Sequence, residues 1–371
     1  MHADIKLGRM WGIPIGLHVS WFLIFALVTW SLALGYFPNE YPFLSRGAYW
    51  LLGAATSILF FVSVLLHELG HSVLALRNGV PVQGISLFIF GGVAQIGREP
   101  PTPGVEFRIA IAGPLTSAAL AAVFAGLWWL DRAIPYLAAP SIWLARINLI
   151  LAVFNLVPGF PLDGGRVLRA LVWWWTGSYH RATYIASLSG QIIAFGFIGI
   201  GVITILGGNL FNGLWLIFIG WFLQNAAAAA YAQINLEAQL RGVKVGQLMR
   251  SSYPRVTAHM SLQELIEDQI LRSGERCFMV ADDGNLMGML GLRDVTAVPK
   301  AAWPHTTVAQ VMVPLERLVW VEPETELIEA LHLMDEKQVA QLPVVLANRV
   351  LGLLSREQIL HYIRTRSELK I

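Results

Sequence analysis

WLLGAATSILFFVSVLLHELGHSVLAL, residues Trp50 to Leu76, is an unbroken apolar run with three ionisable side chains, His67, Glu68 and His71. It exceeds the roughly 20 residues a helix needs to cross a bilayer. Ionisable groups at such depth cost several kcal/mol, so they face a protein interior and bind something. On a helix, positions i and i+4 share a face, so both imidazoles of His67-Glu-Leu-Gly-His71 can converge on one Zn²⁺. Glu68 then faces the metal's water as general base.

The rest of the chain reads outward from that helix. At 371 residues, 56% hydrophobic and 13% charged, the composition is that of a polytopic membrane protein. Spanning windows fall near residues 17–36, 50–76, 107–130, 141–157, 183–206 and 210–231, six in all. The apolar segment that follows Met1 to Met10 is long, lacks a small-residue cleavage site and reads as a retained first helix, not a removed signal peptide. Lys6, Arg9, Arg77, Arg98, Arg108, Arg166, Arg169, Arg181, Arg241 and Lys244 fall on one side, against Arg46, Arg132 and Arg146 on the other. The positive-inside rule therefore places both termini in the cytoplasm of a multi-pass cell-membrane protein. Trp128, Trp129 and Trp173 to Trp175 sit at helix ends, as interfacial anchors do. A net charge of +2 without a basic tract argues against nucleic-acid binding. The single cysteine, Cys277, excludes an intrachain disulfide and a Cys-based zinc site, and its apolar strand makes it a core residue.

A catalytic zinc takes three protein ligands and leaves one position for water. The third candidate is Asp163, in Asn155-Leu-Val-Pro-Gly-Phe-Pro-Leu-Asp-Gly-Gly165, where prolines and glycines break the fourth span. The second and fourth spans both run inward, which delivers Asp163 to the end where the histidines lie. His67 and His71 sit roughly 10–15 Å below the inner boundary. Asp163 reaches them only if the Pro/Gly segment folds back into the membrane, which irregular backbone does where it lines a wet cavity. Ile85 to Ile96 reads as a hairpin with Gly91-Gly92 at its turn. Its edge could hold a substrate in extended form, or the hairpin could be purely structural.

After Gln233 charged residues become frequent, and two stretches match at an offset of 63 to 64 residues: Val245 to Met249 with Val308 to Met312, and Gly288 to Asp294 with Gly352 to Gln358. This is a soluble α/β tandem repeat, expected to pack as one intramolecular pair. The boundaries read as a membrane domain over residues 1–236 and repeats over 245–300 and 307–366.

The paired motifs resemble the site-2 protease family of intramembrane zinc metalloproteases, in its six-span prokaryotic branch with C-terminal cystathionine-β-synthase (CBS) repeats. The resemblance covers essentially the whole chain. It implies His67, His71 and Asp163 as zinc ligands, Glu68 as the base and Asn155 beside the substrate or oxyanion. It also implies regulated intramembrane proteolysis of a transmembrane protein substrate. Gly113-Pro-Leu-Thr-Ser117 is similar to the family's Gly-x-x-x-small motif, whose logic is close helix approach. CBS pairs often bind an adenine nucleotide through a Ser or Thr followed three residues later by Asp. The first copy keeps Asp294 but has Gly291, and the second keeps Ser355 but has Gln358. Nucleotide binding at Asp294 and Ser355 and a docking or homodimerisation role both stay open. Two other readings compete for the whole chain: a membrane metal transporter, and a catalytically silent relative that only binds membrane proteins.

Overall fold

The computed structural model describes residues 4–89, 91–282, 285–347 and 349–369. It divides into two compact units, Met1–Ile234 and Asn235–Ile371.

The first unit enters as a hairpin ahead of its first long helix. Strands β1 (Ile5–Met10) and β2 (Ile13–Leu17) pair antiparallel across Trp11 and Gly12, both at positive φ (50° and 83°). Two such residues make the turn whose twist suits a two-residue hairpin. In β2, Ile13, Ile15 and Leu17 are buried, and this strand pairs in parallel with β3 (Val82–Phe88). Antiparallel to β3 runs β4 (Gly91–Ile96), giving the order β1-β2-β3-β4. Gly91 and Gly92 are the first residues of β4, paired opposite Phe88 and Leu87, so they lie in the strand and not on a turn.

Among the described residues six helices are long and apolar enough to cross a membrane: α1 (Ser20–Glu40), α2 (Arg46–Arg77), α3 (Pro103–Asp131), α4 (Pro135–Asn155), α6 (Tyr179–Leu206) and α7 (Leu210–Leu240, apolar over Leu210–Ala232). Between α4 and α6 lies α5 (Asp163–Thr176), which at 14 residues is too short to span. The starts are chemically marked. Ser45 accepts from the Ala48 N–H, and Thr102 accepts from the Val105 N–H ahead of Pro103. Gly177, at φ 66°, ends α5 in the left-handed conformation.

Of the α2 window 44% is buried, against 17% for α6, so α2 is an interior helix. The sheet lies on it: Leu17, Val64 and Leu87 cluster, as do Ile13, Leu69 and Ile85. Outward-facing side chains are apolar, Leu206, Phe211 and Trp175 being 82%, 85% and 90% exposed, which is a surface for lipid and not for water. The chain is a multi-pass membrane protein.

The second unit holds the repeat. In the first copy β5 (Arg255–Thr257) runs parallel to β6 (Cys277–Asp282), which pairs antiparallel with β7 (Asn285–Gly291). In the second, Val321 makes the corresponding parallel bridge to β9 (Gln341–Leu346), antiparallel to β10 (Arg349–Ser355). The copies exchange edges. β8 (Val313–Pro314), at the start of the second copy, pairs with β7 of the first; Arg250, at the start of the first, bridges Leu353 in β10 of the second.

Candidate metal centre

The mid-α2 motif needs a partner surface, and α3 supplies it. The His71 Nδ1 lies 2.6 Å from the Ile109 carbonyl oxygen, which can only accept, so Nδ1 carries the proton and Nε2 presents a lone pair. His67 Nδ1 meets the Ser117 hydroxyl at 2.9 Å, a group that is able to accept from it in the same sense. Both rings are buried, and the outer bond fixes the tautomer of His71. Residues at i, i+4, i+8 of α3 (Ile109, Gly113, Ser117) thus form one stripe against the histidines. Gly113 is required there: a Cβ would lie 2.1 Å from His71 Nε2 and 2.6 Å from His67 Nε2. The Gly-x-x-x-small motif, expected to serve helix approach in general, here has Gly113 clearing the imidazoles themselves and Ser117 meeting one of them.

Asp163 arrives from the other side. Beyond Asn155, the half-buried last residue of α4, the chain turns through Leu156 to Leu162 and starts α5 at Asp163. This irregular stretch is tied to α6: the Phe160 N–H donates to Ala186 O at 3.1 Å, and the Ser189 hydroxyl donates to Pro158 O. Such bonds let non-helical backbone persist at membrane depth. Asp163 Oδ2 ends 3.1 Å from the Nε2 atoms of both His67 and His71, and those two nitrogens are 3.2 Å apart.

With both Nδ1 atoms protonated, the two Nε2 atoms and the Asp163 oxygen are three acceptors, which repel one another at these separations unless a cation lies among them. A tetrahedral ion with bonds of about 2.0–2.1 Å separates its ligands by about 3.3 Å. The donor set of two neutral imidazoles and one carboxylate fits zinc in type, number and spacing. Among the described residues this is the one group of three side chains able to hold a metal.

Glu68 points toward the sheet. A Cβ on Gly92 would lie 2.6 Å from Glu68 Cγ, so β4 passes directly over the carboxyl group, which accepts from the Ala94 backbone. Gly91 and Gly92 therefore belong to the strand beside Glu68, at the sheet's edge.

In the second unit, Asp294 and Ser355 line one cavity of about 650 Å³. Asp294 Oδ2 accepts from the Gly291 N–H at 2.9 Å; Ser355 Oγ accepts from the Gln358 N–H at 3.2 Å, while the Gln358 amide oxygen accepts from the Ser355 N–H at 2.7 Å. These are matching turns at matching places in the two copies. Five cations, Arg276, Arg293, Arg317, Lys337 and Arg356, share the lining. Cys277 also lines it; burial first, then the Asp294 charge, pushes its thiol up to about 12.

The model of peptidase family M50 matches residues 55–132 and 131–197, and the CBS domain model matches 245–300 and 308–365. Nearly the whole chain is similar to the zinc metalloprotease candidate sll0528 of Synechocystis sp., at 37% identity over 98% of this chain and 97% of that one. The chain belongs to peptidase family M50. This M50 chain is also 31% identical to the zinc metalloprotease MJ0392 of Methanocaldococcus jannaschii, over 97% of its own length and 96% of the relative's. The solved site-2 protease from Methanocaldococcus jannaschii matches at 32% identity, covering 61% of the M50 chain and 94% of that structure, with a TM-score of 0.42. The M50 chain is thus a membrane metalloprotease with a tandem CBS module.

Proposed function

We propose that the membrane unit is a zinc-dependent endopeptidase that hydrolyses peptide bonds within or beside transmembrane segments, as in regulated intramembrane proteolysis. His67, His71 and Asp163 would hold one Zn²⁺ per chain. When bound, the ion lowers the pKa of a coordinated water to about 7 and polarises the scissile carbonyl. Glu68 takes a proton from the attacking water and returns it to the leaving amine nitrogen as the C–O bond forms and the C–N bond breaks. Asn155 lies where the chain leaves α4 toward the site, and its amide is assigned to the developing oxyanion. A helix in lipid hides its carbonyls in i to i+4 bonds, so the substrate must unwind locally. The outer edge of β4, the last strand of the sheet, beginning at Gly91 and Gly92 and lying against Glu68, receives the unwound segment as an added strand.

The observation that carries this reading is the triangle of Asp163 Oδ2 and two Nε2 atoms with 3.1–3.2 Å sides, both Nδ1 atoms being committed outward. A metal transporter needs a succession of binding groups across the bilayer, whereas the described residues hold one. A silent relative has no use for a carboxylate beside the cluster. The test is Glu68→Gln in a reconstituted membrane substrate assay. Cleavage should fall about 10²- to 10⁴-fold with zinc content near one per chain; undiminished cleavage removes the protease assignment.

The CBS module is assigned an adenine nucleotide, on the strength of the five cations around the cavity that Asp294 and Ser355 line. It would act as a regulatory or homodimerising element. Titration of the purified full chain with AMP, ADP and ATP by calorimetry decides between occupancy and none. Both termini are assigned to the cytoplasm, for which terminal reporter fusions are the check.

A further inference from the structure

α5 carries Asp163 at its first residue and Arg169 two turns on. Arg169 is 8% exposed and pairs with Glu106 of α3, which is 0% exposed: Nε donates to Oε1 at 2.7 Å, and Nη2 donates to the same oxygen. The guanidinium also stacks on two rings, 4.9 Å from the Phe160 centroid and 4.7 Å from that of Tyr179. The other carboxylate oxygen of Glu106 is buried without a hydrogen-bond partner. A pair with that defect is poorly explained by stability, because desolvation offsets the attraction of buried ions and apolar groups of the same volume serve as well. What distinguishes it is its place. Phe160 precedes Asp163 by three residues on the irregular loop, and Arg169 follows it by six on a rigid helix. Glu106 stands one turn before Ile109, whose carbonyl holds His71, and two turns before Gly113, which clears both imidazoles. One stretch of α3 therefore grips the histidines directly and, through Glu106, the helix that presents the carboxylate.

We propose that Arg169, anchored by Glu106, is a positioning residue that sets Asp163 against His67 and His71 and so determines the metal affinity of the site. This rests on the metal-centre reading above. The pair aligns α5 with α3, and stacking on Phe160 holds the loop so that the Asp163 carboxylate cannot slide along α2.

The test uses the full-length chain in detergent and reads Zn²⁺ affinity by chelator competition, together with the visible absorption of the Co²⁺-loaded protein. Variants are Glu106→Met/Arg169→Met, Arg169→Lys, and Asp163→Asn as reference. The double variant replaces the ion pair by apolar volume and is expected to keep its thermal unfolding temperature. Its affinity should fall about 10-fold or more, as when a group that orients a metal ligand is lost, and its Co²⁺ spectrum should move toward that of Asp163→Asn. Arg169→Lys keeps the charge but loses the fork and the flat stacking face, and should weaken affinity at least severalfold. Parental affinity and spectrum in the double variant overturn the proposal. If the double variant does not fold, parental values in Arg169→Lys overturn it. A parent chain that binds no metal overturns the metal-centre reading itself, an outcome distinct from a parent and variants that bind alike.

Discussion

The Cβ that Gly113 lacks would lie 2.1 Å from Nε2 of His71. The ring cannot yield, because its Nδ1 is held 2.6 Å from the Ile109 carbonyl on the same helix as Gly113. One methyl group at this position therefore competes for the space where the three candidate ligands converge. Gly113→Ala should leave the helices intact, alanine being the better helix former, and lower Zn²⁺ affinity at least tenfold. Chelator competition and circular dichroism on the same preparation check both halves.

Ser117 meets His67 Nδ1 at 2.9 Å, deep in the bundle. Ser117→Ala removes that partner and leaves the buried Nδ1 of His67 unpaired, at a cost of about 1–3 kcal/mol. The expected result is Zn²⁺ affinity about 10-fold weaker or more, with proteolytic activity restored at high added zinc. Activity measured across buffered zinc concentrations separates this from loss of a catalytic group, where added zinc restores nothing.

The exchange of edges in the second unit makes each repeat depend on the other: β7 pairs with Val313–Pro314, and Leu353 in β10 with Arg250. A soluble module ending near residue 300 would present β7 with an unpaired edge, a template for aggregation. The 245–300 piece should lack cooperative unfolding and self-associate, whereas 235–371 should unfold in one transition. Thermal melts with light scattering distinguish the two.

Cys277 is 3% exposed with its thiol pushed up to about 12, so the thiolate needed for alkylation is scarce at pH 8. Maleimide labelling should be slow in the native chain and complete in denaturant. The sign of the linked stability follows. The folded pKa lies above the unfolded one, so this contribution is full below the ordinary thiol range and is lost as pH rises toward 12. Melts of the second unit between pH 8 and 11 should show the decline, and Cys277→Ala should flatten it.

Much of the architecture was legible from residues alone because lipid imposes a harsh rule. Every spanning segment must be an apolar helix of a given length, and any polar group inside it stands out. The second span, with its His-Glu-x-x-His, met both conditions, and the repeat offset marked the CBS pair. The opening hairpin was not legible: its Trp11-Gly12 turn carries none of the usual Asn-Gly signals, and the β2 partner, β3, lies across two membrane helices. Nor was α5, whose 14 residues fall below any spanning window. Gly91-Gly92 was placed on a turn because glycine pairs usually mark one; here the second glycine makes room for Glu68 under a strand.

The amino-acid order by itself determined the six crossings, the tandem module and which side chains have the chemistry to hold a metal, because hydropathy and spacing are local properties of a helix. Only the tertiary structure decided which of them meet. Asp163 is 92 residues from His71, and Glu106 is 63 from Arg169. Their distances depend on how helices pack, how an irregular loop satisfies its backbone against α6, and where α3 has no side chain at all. Those are relations between surfaces, and a linear pattern does not contain them.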